Sequence, residues 1–174
     1  MKYLVTLAVV AALCVPAAAL AADPTPSAKD VAMQQCKTQR ASMKATDFKA
    51  LYGTNKTKSN AFGKCIVKAA QLAKTELQNA SQQCRTEQAD TSFAGSHDGK
   101  TFDQYYGTAK GKGAKGADAN SFGKCVSSKV KDASDAQTEA VVNAAKTCKT
   151  LAKDKANWHF KSFGACVSKN TKQS

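Results

Sequence analysis

Large aliphatic side chains are scarce in this chain. Beyond residue 22 it holds four leucines, one isoleucine, seven valines and seven phenylalanines. With a net charge of +13 over 174 residues, so thin an apolar inventory borders on the composition of disordered chains. Alanine takes the place of the larger residues. It favours helix but buries little area per residue, so a fold of this size needs a second source of stability.

Other shortages exclude activities. Arginine occurs twice, at Arg40 and Arg85, against 24 lysines. Arginine supplies the bidentate, geometry-specific grip on phosphate and carboxylate, whereas lysine is a flexible point charge. The basic excess therefore predicts diffuse attraction to polyanions, with the plain alternative that it only keeps an alanine-rich surface soluble. No Cys-x-x-Cys pair is present, which removes the usual zinc arrangements, and no metal or cofactor is expected. No Gly-x-x-x-x-Gly-Lys-Ser/Thr phosphate loop occurs. Gly111-x-Gly113-x-x-Gly116 matches the dinucleotide fingerprint in letters, but neither flank reads as the strand that motif requires. There are two histidines, His97 and His159. His97-Asp98 is the one pairing with the elements of a catalytic site, and a loop histidine is more often structural. Asp98 and Asp103 do not complete a calcium loop. The expectation is no enzyme and no catalytic residue.

What is present begins with a leader. Lys2 precedes an apolar run from Leu4 to Val15, and Ala19-Leu20-Ala21 supplies a cleavage pattern. This is the layout of a secretory signal over residues 1–21, and it predicts an exported protein: secreted, periplasmic or at the cell surface. Cys14 leaves with the leader. No later segment approaches the 18 or so apolar residues of a membrane span. Six cysteines remain, an even count that reads as three disulfides in an oxidising compartment.

The remainder, 22–174, reads as one helical domain of three tandem repeats, about 28–70, 76–131 and 140–170. Asn60-Ala-Phe62-Gly63-Lys64-Cys65-Ile66 recurs as Asn120-Ser-Phe122-Gly123-Lys124-Cys125-Val126 and as Lys161-Ser-Phe163-Gly164-Ala165-Cys166-Val167. The other cysteine of each copy opens Cys36-Lys37-Thr38, Cys84-Arg85-Thr86 and Cys148-Lys149-Thr150. Copies one and two share Phe-x-x-x-Tyr-Gly-Thr at 48–54 and 102–108, while the shortened third has Trp158 there. Agreement at this many positions is the mark of internal duplication. The recurrent aromatics suit packing around a cystine better than an exposed stacking surface, and the glycine of Phe-Gly-x-Cys suits a close approach of chains.

Apolar residues recur every three or four positions: Phe62, Ile66, Ala69, Ala73, Leu77, Ala80 and Cys84 in one stripe, and Phe122, Val126, Val130, Ala133, Ala140, Ala144, Cys148 and Leu151 in another. The class is all-α, with helices near 27–45, 60–90, 119–153 and 160–169. Ser27 and Asp30 form a capping box for the first. Thr75–Gln78 and Ser134–Gln137 also resemble caps, at which either long helix would break. If those helices are unbroken, Cys65 and Cys84 stand about 28 Å apart on one of them, far beyond the ~7 Å reach of a disulfide. The pairing that follows is Cys36–Cys65, Cys84–Cys125 and Cys148–Cys166, giving disulfide-stapled helical hairpins in a small bundle or array.

The glycine-rich stretch 91–118 reads as a flexible loop with a basic tip at Lys110, Lys112 and Lys115. The functional expectation is a non-enzymatic exported basic protein, binding an anionic polymer or surface through those lysines. Cell-envelope polymer, anionic lipid and nucleic acid bound without sequence preference all fit. The first alternative is a disulfide-stabilised structural or protein-interaction module without a polyanion role; the second is a small exported enzyme or toxin acting through the 91–118 loop.

Overall fold

A computed structural model describes residues 25–107, 120–154 and 156–172. The expected leader and the basic tip, with Lys110, Lys112 and Lys115, lie outside the described residues. The protein is all-helical. In chain order the helices are α1 (Ala28–Ser42), α2 (Ala45–Tyr52), α3 (Ala61–Ala89), α4 (Phe93–Ser96), α5 (Phe102–Tyr106), α6 (Ser121–Leu151) and α7 (Phe163–Asn170). There is no strand among the described residues.

The two long helices are continuous. α3 runs for 29 residues and α6 for 31, so each is more than 40 Å long at about 1.5 Å per residue. The cap-like stretches Thr75–Gln78 and Ser134–Gln137 lie inside them, because helix already surrounds these residues and an internal polar side chain has no free N–H groups to cap. At α1 half of the expected capping box is present: the Ser27 hydroxyl accepts from the Asp30 N–H at 3.2 Å. The Asp30 carboxylate meets the Ser27 hydroxyl at 2.6 Å.

All three disulfides join the cysteines of one copy: Cys36–Cys65 (α1 to α3), Cys84–Cys125 (α3 to α6) and Cys148–Cys166 (α6 to α7), with Cα–Cα distances of 6.0, 6.0 and 5.9 Å. The late position of Cys84 in α3 and the early position of Cys125 in α6 make these helices antiparallel. The ion pair between Glu87 and Lys129, at 2.6 Å, closes the same end. α1 packs against both long helices, and α2 and α7 cover the opposite end.

The core divides into three clusters, and each contains one cystine. The largest side chains with almost no exposure are Val126, Val130, Val167 and the six cysteines. Much of the rest is alanine, with Ala32, Ala61, Ala69, Ala73, Ala80 and Ala145 all buried, and the buried phenylalanines are three: Phe48, Phe93 and Phe102. Small side chains bring helix axes close but remove little area from water, so the cystines supplement a core with few large apolar side chains.

Three sequence expectations are corrected. First, α2 falls where no separate helix was expected; its N-cap is Lys44, which makes no side-chain cap. Second, the stretch 91–118 is not irregular throughout. α4 and α5 occupy part of it, anchored by the buried Phe93 and Phe102, and Thr101 with Gln104 forms a complete capping box on α5. Third, Ala133 is exposed although it was placed on the α6 stripe. From Val130 a 3.6-residue period leads through Ser134, Gln137 and Val141 to Cys148; Ser134 and Gln137 are half-buried, and the buried polar residue of this stretch is Thr138.

The glycine of Phe-Gly-x-Cys has no common role. A Cβ at Gly63 would meet nothing within 4 Å, whereas one at Gly164 would come within 3.4 Å of the Leu51 carbonyl oxygen. The glycine that packing requires is Gly53, just after α2. A Cβ there would lie 2.4 Å from the Lys58 Cβ and 2.7 Å from the Lys49 carbonyl oxygen.

Candidate functional site

The aromatic motif Phe-x-x-x-Tyr adopts one arrangement twice. Phe48 and Tyr52 have ring centroids 5.0 Å apart at 53°, and Phe102 and Tyr106 are 5.0 Å apart at 52°. Tyr52 donates its hydroxyl hydrogen to Gln39 Oε1 at 2.6 Å, and Tyr106 donates to Glu87 Oε2 at 2.9 Å. Gln39 and Glu87 each stand three residues after the first cysteine of their copy. At the third such position is Leu151, which packs in the cluster holding Trp158, Phe160 and Phe163. These aromatics lie against the cystines and form no open stacking surface.

Burial pushes the Tyr52 phenol up to about 12, and burial with the Glu87 carboxylate beside it raises Tyr106 as well. A phenol whose pKa is raised by folding contributes stability below its unfolded value near 10 and loses it as pH rises through the folded value. For Tyr52 the window is roughly pH 10 to 12, and the loss is about 2–3 kcal/mol. Urea titrations of the native protein and Tyr52→Phe across that window should show a smaller alkaline loss in the variant. Equal losses would mean that Tyr52 ionises without resistance.

His97 serves local structure. Its ring stacks on Phe93 with centroids 3.7 Å apart at 5°, and Nδ1 lies 2.8 Å from the Phe93 carbonyl oxygen. Asp98 turns the chain in a left-handed conformation at φ 52°. No cluster of three metal-ligating side chains occurs among the described residues, and no described helix is long and apolar enough to cross a membrane.

The feature that stands out is unbalanced charge. Among the described residues only Lys129, Lys131 and Lys149 pair with a carboxylate: Glu87, Asp135 and Asp47 respectively. The other described lysines and both arginines have no such partner. The excess is concentrated between residues 48 and 75, where Lys49, Lys56, Lys58, Lys64, Lys68 and Lys74 are all exposed and no Asp or Glu occurs. Lys64 and Lys68 stand one turn apart on α3, a like-charge spacing that costs a few tenths of a kcal/mol. Lys64 also lies in the first turn of α3, which holds no acidic residue, although the helix dipole favours negative charge there. Acidic residues collect elsewhere, with Asp132, Asp135 and Glu139 exposed along the middle of α6.

No family model, no curated protein and no solved structure matches this chain.

Sequence reasoning placed the basic site at Lys110, Lys112 and Lys115 and missed the tract from Lys49 to Lys74. The signal was available. Gly53-Thr54-Asn55-Lys56-Thr57-Lys58 aligns with Gly107-Thr108-Ala109-Lys110-Gly111-Lys112, so the shared motif extends into two lysines. In the first copy this turn is built by side chains. Asn60 Oδ1 accepts from the Thr54 N–H at 3.1 Å, and Asn55 Nδ2 donates to the Ser59 hydroxyl at 2.9 Å. Lys56 and Lys58 project from it, both exposed.

Proposed function

We propose that this is a non-enzymatic exported basic protein that holds anionic polymers or surfaces through its lysines. The observation that carries the reading is the exposed tract from Lys49 to Lys74, which has six lysines and no neutralising carboxylate in the sequence between them. Solubility alone is served by interspersed charges of both signs. A local single-sign excess at a helix N-terminus weakens the fold slightly and creates an attractive field for anions. Lysine suits a partner whose charges repeat without fixed geometry. The three cystines and the leader-like start fit an oxidising compartment outside the cytoplasm.

The test is retention of the oxidised protein on immobilised heparin and on duplex DNA at low salt. Native protein should be retained and should elute as salt rises. A variant with Lys56, Lys58, Lys64 and Lys68 changed to Gln should elute markedly earlier with its helicity intact. If native protein flows through at low salt, the polyanion reading falls and the structural-module alternative replaces it.

A further inference from the structure

A concavity of about 110 Å³ is bordered by α1, α2, the turn before α3 and the first turn of α3. Phe48, Phe62 and two alanines form its apolar lining, and Arg40, Lys49, Lys58 and Ser59 form the rest. No Asp or Glu is among the described residues lining it. None of its three cations pairs with a carboxylate among the described residues. Arg40 Cζ stands 5.9 Å from the centroid of the Phe62 ring, so one wall of the concavity holds the guanidinium. Arg40 is one of two arginines in a chain with 24 lysines. The hairpin does not demand it, since the position four residues after the first cysteine is Arg40, Gln88 and Ala152 in the three copies. Nor does the helix dipole, which a lysine in the last turn of α1 would satisfy equally. The Ser59 hydroxyl accepts from Asn55 Nδ2 at 2.9 Å and from the Thr57 hydroxyl at 3.1 Å, which leaves its own hydrogen to donate. Lys58 has a left-handed backbone at φ 54°, a conformation in which glycine or asparagine meets less strain.

We infer that this concavity seats the end group of a phosphate monoester. At roughly 30 Å³ per water-sized group it holds about four such groups, the scale of one phosphate, and it is far below the ~300 Å³ lower end of small-molecule pockets. The Arg40 fork meets two phosphate oxygens and the Ser59 hydroxyl a third. Lys49 and Lys58, both exposed, swing flexible ammonium groups over the mouth. Three cations suit a group of charge about −2 better than a sulfate ester or a phosphate diester, each of which carries a single charge. A diester within a polymer is also bulky on two sides, whereas a monoester enters by one end. Lys49 and Lys58 belong to the tract proposed above to attract polymers, but the seat is a separate claim: it needs the guanidinium fork, and diffuse attraction needs only charge.

Glucose 6-phosphate is a suitable probe, with glucose 6-sulfate as the singly charged tetrahedral control. At low ionic strength and about pH 7.5, where the monoester is doubly charged, millimolar glucose 6-phosphate should shift the backbone amide NMR signals of Ser59 and Phe62 in the oxidised protein. The sulfate ester should bind about tenfold more weakly, for want of the second charge. Binding of the phosphate should fade as pH falls below about 6, where the monoester takes up a proton. Arg40→Lys keeps the charge and removes the fork. It should weaken glucose 6-phosphate about tenfold, the value of one charge-assisted hydrogen bond, and leave the salt slope for duplex DNA unchanged. Should that variant fold poorly, the comparison of the two esters on native protein decides alone. No shift at millimolar glucose 6-phosphate, equal binding of the two esters, or undiminished binding by folded Arg40→Lys would overturn the seat. Failure of native protein to bind duplex DNA while glucose 6-phosphate binds would overturn the polymer reading and support the seat.

Discussion

Reduction of the three disulfides should unfold the protein at room temperature. The closed loops span sequence separations of 29, 41 and 18 residues and do not overlap. On the chain-entropy model each contributes about 3–4 kcal/mol, and the three together about 11 kcal/mol. Whole domains are stable by about 5–15 kcal/mol, so the cystines account for a share as large as the net stability itself. Each core cluster contains one cystine, and the buried phenylalanines beside it number two in the first cluster (Phe93 and Phe102), one in the second (Phe48) and none in the third. Far-UV circular dichroism and melting curves with and without reductant make the measurement. Loss of most helical signal on reduction is expected. Unchanged helicity with an unchanged melting temperature would show that the alanine interfaces hold the bundle unaided.

The second large effect concerns the two lysine motifs. Changing Lys110, Lys112 and Lys115 to Gln removes three charges that sit within six residues. If each of these lysines neutralises one phosphate on duplex DNA, the slope of log affinity against log salt should flatten by about 2.7. Between about 50 and 200 mM salt the fall in affinity should then shrink by roughly 40-fold. Lys56→Gln with Lys58→Gln, at the aligned positions of the first copy, should flatten the slope by about 1.8 on the same accounting. Additive flattening in the five-lysine variant is expected if both motifs touch the polymer. A slope unchanged by either set would move the contact to other lysines.

The helical class and the cystine pairing were legible because two independent patterns agreed. The repeat assigned one cysteine pair to each copy, and the stripe through α3 placed Cys65 and Cys84 too far apart on one helix to bond. The stripe through α6 was less clear because its inward side carries polar residues, the half-buried Ser134 and Gln137 and the buried Thr138, which reading by apolar letters steps around. α2 was missed at its start, where Lys44 gives no cap, although Phe48, Leu51 and Tyr52 carry helical spacing. α4 and α5 are too short for any periodicity to show, and the glycines at 95 and 99 suggested irregular chain. At the candidate site, the lysine tract was visible as a run without acidic residues. The concavity around Arg40 was not, because α1, α2 and the turn before α3 supply its walls from separate stretches of chain. Only the packing of these elements brings Arg40, Lys49, Lys58 and Ser59 to one place.

The central claim is that the lysine surface of the folded, oxidised protein holds anionic polymer through its charge. The most direct test is its equilibrium binding to a duplex DNA of fixed length as a function of salt. Binding at low salt that falls linearly on a log–log plot, with a slope corresponding to several released counterions, is the predicted result. No binding at low salt, or binding insensitive to salt, would contradict it.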